Sequence, residues 1–206
     1  MRIAFLALAG LIATALTLTG CEEKKVDGEA PSRFASVKRD NATKAASTFC
    51  EKQYPAGEGG KRFTAPAERP IPGLEANANA PKAGAWRWVN LWATWCHPCV
   101  EEMGLLSRWK NSLTADGVNV DFELWSLDDD EAALTGWLKK TTLPGRPHWL
   151  RAQEDLAPFL EGIGADAASA IPIHALIDGN GNLRCLRVGA VHDEDYGAVK
   201  AFLTGS

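Results

Sequence analysis

Two of the five cysteines stand three positions apart, in the stretch Trp95-Cys96-His97-Pro98-Cys99. A pair so spaced can clip a metal, staple a loop, or form a dithiol that makes and breaks a disulfide. A structural zinc site needs four ligands, commonly a second such pair or two closely spaced histidines. The chain has no second Cys-x-x-Cys and no such histidine pair, which argues against zinc. The dithiol reading has a mechanism. Pro98 fits the first turn of a helix, where a missing N–H costs nothing. Cys96, just ahead of it, then meets free backbone N–H groups and the positive end of the helix dipole, which favour a thiolate. Cys96 is the expected attacking sulfur, and Cys99, one turn inward, the sulfur that resolves the mixed disulfide. His97 between them can stabilise the thiolate and make the disulfide more oxidising, or it is a solvent-facing spacer.

The elements that must hold this pair are legible from Trp86 onward. The apolar "WRWVNLW" reads as a buried strand, and "PCVEEMGLLSRWKNSL" as a helix with Val100, Met103, Leu106, Trp109 and Leu113 on its apolar face. "VDFELWSL" is a second strand, with helices expected over 130–140 and 155–162. "IPIHALID", the turn "GNGN" and "LRCLRVG" read as two antiparallel strands joined by a tight hairpin. "DEDYGAVKAFL" closes the chain as a helix. Strand and helix in alternation predict an α/β fold, a central mixed sheet flanked by helices. Eight tryptophans are many for 206 residues, and Trp86, Trp88, Trp92 and Trp95 crowd the cysteine motif, where large rings can wall off a reactive centre.

The start of the chain bears on whether those thiols meet oxidants. After Arg2 it runs apolar from Ile3 to Leu18 and ends Leu18-Thr19-Gly20-Cys21, followed by Glu22-Glu23-Lys24-Lys25. That is the layout of a secretory signal and a marginal length for a membrane span. Leu-Thr-Gly-Cys resembles the bacterial lipobox, which implies a signal peptide over 1–20, lipidation of Cys21, and attachment to a bilayer through its acyl chains. Location is then extracytoplasmic, on the periplasmic side of a bacterial membrane, and Glu22 resembles outer-membrane sorting. Residues 21–80, rich in Ala, Pro, Gly, Lys and Glu, read as a tether with a short helix near 41–54 that can be capped by Asn41. Residues 81–206 form the expected domain. A net charge of −4 gives no basic footprint for nucleic acid.

"VNLWATWCHPCVEEM" resembles the active-site segment of the membrane-tethered TlpA/ResA-like thioredoxin-family oxidoreductases, which include the thiol reductases of cytochrome c maturation. The resemblance runs from about Trp86 to Leu203 and implies a thioredoxin fold with an N-terminal extension. It also implies a redox-active Cys96–Cys99 disulfide with no other cofactor and no metal, and a membrane protein as electron donor. By the same resemblance Trp95 precedes the nucleophile, and Trp95, His97, Pro98, Ile171 and Pro172 form the substrate-binding rim. Pro172 matches the family's cis-proline, whose neighbouring backbone pairs with an incoming chain. Cytosolic thioredoxins carry a buried acid where this chain has Asn90. The TlpA/ResA-like proteins instead carry one three residues after the second cysteine, which here is Glu102. It can take the proton of Cys99 from the same helix face, or it is, with Glu101, a solvated acid near the helix start. Two departures stand out: Gly104 replaces a proline that often kinks this helix, and Ile173-His174 replaces a polar pair such as Thr-Thr.

The reading is an enzyme that reduces disulfides of exported proteins. An oxidase or isomerase on the same fold is the first alternative, favoured by His97. A copper-binding metallochaperone using Cys96, Cys99 and His97 or His174 is the second, weakened because related copper carriers space their cysteines by three residues and place a histidine in a distal loop. The chain shows no Pro-x-x-x-Thr-x-x-Cys segment of a peroxiredoxin. Cys50 and Cys185 are left over, an even remainder in an oxidising compartment, and are expected to pair and clamp the N-terminal helix to the sheet. The alternative is two buried free thiols.

Overall fold

The computed structural model describes residues 49–74 and 81–205. The signal segment, Cys21 and residues 41–48 of the expected helix lie outside them. The described residues build one seven-stranded sheet from β1 (Lys52–Gln53), β2 (Lys61–Arg62), β3 (Trp86–Trp92), β4 (Val120–Ser126), β5 (Arg146–Trp149), β6 (Ile173–Ile177) and β7 (Asn182–Val188). Its order is β1-β7-β6-β3-β4-β5, with β2 also on β7. The chain winds β3, β4 and β5 in parallel, then returns β6 and β7 antiparallel. Helices α1 (His97–Ala115), α2 (Glu131–Leu138), α3 (Leu156–Ile163) and α4 (Tyr196–Thr204) cover it. This is the mixed sheet flanked by helices that the alternation predicts.

β3 is central because its last five residues, Trp88 to Trp92, are buried, as a strand covered on both faces must be. The β6–β7 hairpin closes through Asp178, whose carboxylate accepts the N–H groups of Asn180 and Asn182, while Gly181 takes a φ of +82° that a side chain would resist. α1 runs unbroken through Gly104. Its buried face is Cys99, Glu102, Met103, Leu105, Leu106, Trp109 and Leu113. Leu105 and Glu102 thus join the expected set, and Val100 is only partly buried. No helix of the described residues is long and apolar enough to cross a membrane.

Two expectations need correction, and one strand was not foreseen. The helix expected over 41–54 does not reach Tyr54: Lys52–Gln53 pair with β7 at Leu186 and Cys185, and Tyr54 N–H donates to the Arg184 carbonyl. Pro55 favours an extended residue before it, which suits a strand and not a helix end. The described end of the tether is likewise part of the sheet through β1 and β2, and Ile71 is buried in the core. Finally, Arg146–Trp149 is an edge strand that the sequence hid, since "RPHW" is short, lacks alternation and contains Pro147.

Cys50 and Cys185 are joined by a disulfide, with Cα atoms 5.3 Å apart and a sequence separation of 135. Phe49 beside it is buried and meets the Trp88 ring edge-on at 6.2 Å, while its carbonyl accepts from Arg187. The N-terminal segment is therefore pinned at the disulfide, at the β1 ladder and by one aromatic contact in the core.

Candidate active site

β3 ends at Trp92, and the chain turns through Ala93, Thr94 and Trp95 into α1. A buried carboxylate fixes that turn. Asp128 accepts the N–H of Thr94 at 3.0 Å and the hydroxyl of Ser126 at 2.7 Å, and the Thr94 hydroxyl also donates to it. Asp128 gave no signal in the sequence beyond lying in an acidic run after a strand. Cys96 is the N-cap of α1, with Pro98 in the first turn, no side chain capping the free N–H groups and no acid in that turn. The positive end of the helix dipole is thus left to the sulfur.

Cys96 and Cys99 form a disulfide with Cα atoms 5.3 Å apart. Cys99 is fully buried and Cys96 nearly so. The Ile171–Pro172 bond is cis, and Cys96 Sγ lies 3.7 Å from the Ile171 carbonyl oxygen. An open cavity of about 500 Å³ faces Cys96, lined by Trp95, His97, Pro98, Leu127, Leu156 and Ile171 among others. Trp95 is 68% exposed, a large apolar ring left in solvent. His97 points outward, its Nδ1 3.3 Å from Glu101 Oε2. The other tryptophans do not ring the motif as expected: Trp88 and Trp92 are interior, and Trp86 packs on Phe202 from the far end of β3.

Glu102 is buried, whereas Glu101 is solvated. Its Oε1 accepts from Asn90 Nδ2 at 2.9 Å and its Oε2 from the Val191 N–H at 3.0 Å. His174 Nε2 lies 3.4 Å from Oε2. Asn90 thus stands beside the acid and not in place of one. In the sheet Asn90 is registered against His174 and His174 against Arg187, so one polar row crosses three strands. The row was missed in the sequence; its visible trace is His174, a lone polar residue within the apolar "IHALI". Glu102 also reaches a second cavity, of about 290 Å³, with Pro98, Arg108 and His192 at its walls. Among the described residues no group of three or more His, Cys, Asp and Glu is arranged to hold a metal ion.

No protein-family model matches the chain, and no curated protein matches it. Solved structures do. The chain is similar to a protein from Neisseria meningitidis proposed to be a thioredoxin, at 18% identity and a TM-score of 0.52, over 71% of this chain and 93% of that one. It is similar to a thioredoxin-related protein from Neisseria meningitidis serogroup B at 22% identity and a TM-score of 0.49, over 67% and 93% of the two chains. It is also similar to the thioredoxin domain of a thiol-disulfide oxidoreductase from Bacteroides vulgatus, at 20% identity and a TM-score of 0.47, over 59% and 81%. The first of these likenesses establishes the fold: this is a thioredoxin fold carrying a Cys96–Cys99 disulfide at its first strand-to-helix turn.

Proposed function

We propose that this chain is a thiol-disulfide oxidoreductase that reduces disulfides of exported proteins, tethered to a bacterial membrane through a lipidated Cys21. The observation that carries the chemistry is the disulfide at an uncapped helix N-terminus, beside the Ile171 carbonyl and opening on an apolar cavity. In the reduced protein, the Cys96 thiolate attacks one sulfur of a substrate disulfide; that S–S bond breaks and a substrate thiolate leaves. Cys99 gives its proton to Glu102 and attacks Cys96. The mixed disulfide breaks, the second substrate thiolate leaves and picks up a proton, and Cys96–Cys99 is left oxidised. The substrate has gained the two electrons the dithiol lost. A membrane dithiol donor restores the pair by the reverse exchange.

Trp95, His97, Pro98, Ile171 and Pro172 form the rim that receives the substrate chain, with Trp95 the apolar contact. The reductase direction draws support from Glu101, whose carboxylate stands 3.3 Å from His97 in the helix that Cys96 caps and adds negative charge on the side where a thiolate would form. The copper reading loses support on the same ground: His97 is engaged outward with Glu101, and His174 is turned inward to Trp88 and Glu102.

The deciding measurement is the reduction potential of the Cys96–Cys99 pair. A value between about −270 and −180 mV, the span from reducing thioredoxins to isomerases, supports the reading. One near −120 mV makes the protein an oxidant. For the tether, Cys21→Ser releases the protein from the membrane fraction; unchanged fractionation removes the lipid anchor from the proposal.

A further inference from the structure

The exchange steps leave the one buried histidine next to Glu102 unused. His174 is fully buried in a strand whose other members are apolar, where an imidazole costs free energy unless its nitrogens are satisfied. The Trp88 indole N–H donates to Nδ1 at 3.1 Å, and Asn90 Nδ2 lies 3.3 Å from the same atom. An indole nitrogen only donates, so Nδ1 is an acceptor and the neutral ring carries its proton on Nε2. Trp88 is held in place by Phe49, Trp109 and Phe122, with ring centroids 6.2, 5.9 and 5.0 Å away. The amide of Asn90 is fixed by the same logic, since its NH₂ side faces two acceptors, Glu102 Oε1 and His174 Nδ1. Nε2–H has no aligned acceptor; Glu102 Oε2 lies 3.4 Å from the nitrogen, within reach of a small turn of the carboxylate.

We propose, resting on the oxidoreductase reading above, that His174 is a positioning residue for Glu102: its Nε2–H, oriented by Trp88, steadies the carboxylate while that group takes the Cys99 proton and hands it on. His174 keeps its own proton throughout. The proton leaves Cys99 Sγ, rests on Glu102 and departs to water in the cavity bounded by Pro98, Arg108 and His192. The other charged groups around the pair are Arg187, opposite His174 on β7 and paired with Asp195 at 3.1 Å, and Glu101, Arg108, His192 and Asp193 along the cavity. None of these touches Glu102 at hydrogen-bond distance in the way Asn90 and Val191 do.

The test follows an aromatic disulfide with a coloured leaving thiol as it reacts with the reduced, full-length protein. The first coloured thiol reports attack by Cys96, the second reports attack by Cys99. His174→Phe is expected to slow the second release roughly ten- to a hundredfold, the factor that a hydrogen bond to a charged group corresponds to, and to leave the first unchanged. It also gives the second release the pH profile of Glu102→Gln, and the double variant is no slower than Glu102→Gln alone. His174→Gln, which keeps an N–H near the Nε2 position, restores both rate and profile. A folded His174→Phe protein with the wild-type second-step profile overturns the proposal. Should that variant not fold, nitrogen NMR of the wild type decides: the Nε2–H tautomer, with a signal that responds to reduction of Cys96–Cys99, supports it, and the Nδ1–H tautomer or an indifferent signal overturns it. Failure of the oxidoreductase reading looks different, because wild-type protein would then release the thiols no faster than Cys96→Ser.

Discussion

The two disulfides match in their Cα separation and in their burial. Each spans 5.3 Å between Cα atoms, and each joins a cysteine that is 6% exposed to one that is fully buried. What differs is the company they keep. Cys50–Cys185 lies between a sheet edge and the Phe49–Trp88 contact, with a sequence separation of 135. Cys96–Cys99 spans three positions, caps a helix dipole, fronts a cavity and shares its helix with a buried carboxylate. Reactivity is thus a property of the neighbours: a place for the thiolate, a place for the proton and a way in for the partner.

The largest effect that would break this contrast is loss of the nucleophile. Cys96→Ser abolishes insulin reduction, and Cys99→Ser keeps the first attack and accumulates mixed disulfides that non-reducing gels reveal; equal loss without adducts would erase the assigned roles. The reverse pattern holds at the other bond. Removing both Cys50 and Cys185 leaves turnover per folded molecule intact but lowers stability by about 5 kcal/mol in the chain-entropy model, read by denaturant unfolding. A double variant as stable as wild type would mean that β1 and Phe49 hold the segment unaided. Glu102→Gln comes third: the resolving step slows about a hundredfold near neutral pH with the fold unchanged, and an unaltered pH–rate profile would strip Glu102 of its role.

The smallest effect lies far from both bonds. Asp116, at the end of α1, accepts from Lys200 at 2.7 Å and from Tyr196 at 3.1 Å, and chiefly the Lys200 bond holds its carboxyl below the usual range. A lowered folded-state value gives stability that is present above the unfolded-state range and is lost as pH falls through the folded one. Asp116→Asn should cost little, because the pair is solvent-screened, and should flatten the acid side of the stability profile. An unchanged acid limb assigns that dependence to other carboxylates.

What the sequence disclosed were the features written in local pattern. β3, the cysteine turn and α1 follow from an apolar run, a proline at a helix start and a period near 3.6. The hairpin follows from Asn and Gly between two apolar strands. Features made by distant partners stayed hidden. Lys52–Gln53 is a strand only because Cys185 and Leu186 lie opposite. Glu102 is buried because Asn90 and Val191, 12 and 89 positions away in the chain, supply donors. His174 reads as one more packed residue until the register sets it against Asn90. Asp128 acts on Thr94 across 34 positions.

The short strands at the margins of the sheet carry a further consequence, for how this molecule meets copies of itself. Without β1 and β2, β7 would offer a row of unpaired backbone groups, a template on which another chain could add and from which fibrils can grow. β1 and β2 cover it with pieces only two residues long, and three of those four residues, Lys52, Lys61 and Arg62, are cationic. At the opposite margin β5 carries Pro147, which has no N–H to offer a newcomer, and part of its continuation is taken by the Glu68–Leu150 bridge. Both flanks of the sheet are thereby closed to growth, so loss of the Cys50–Cys185 bond should show itself as self-association as well as lower stability.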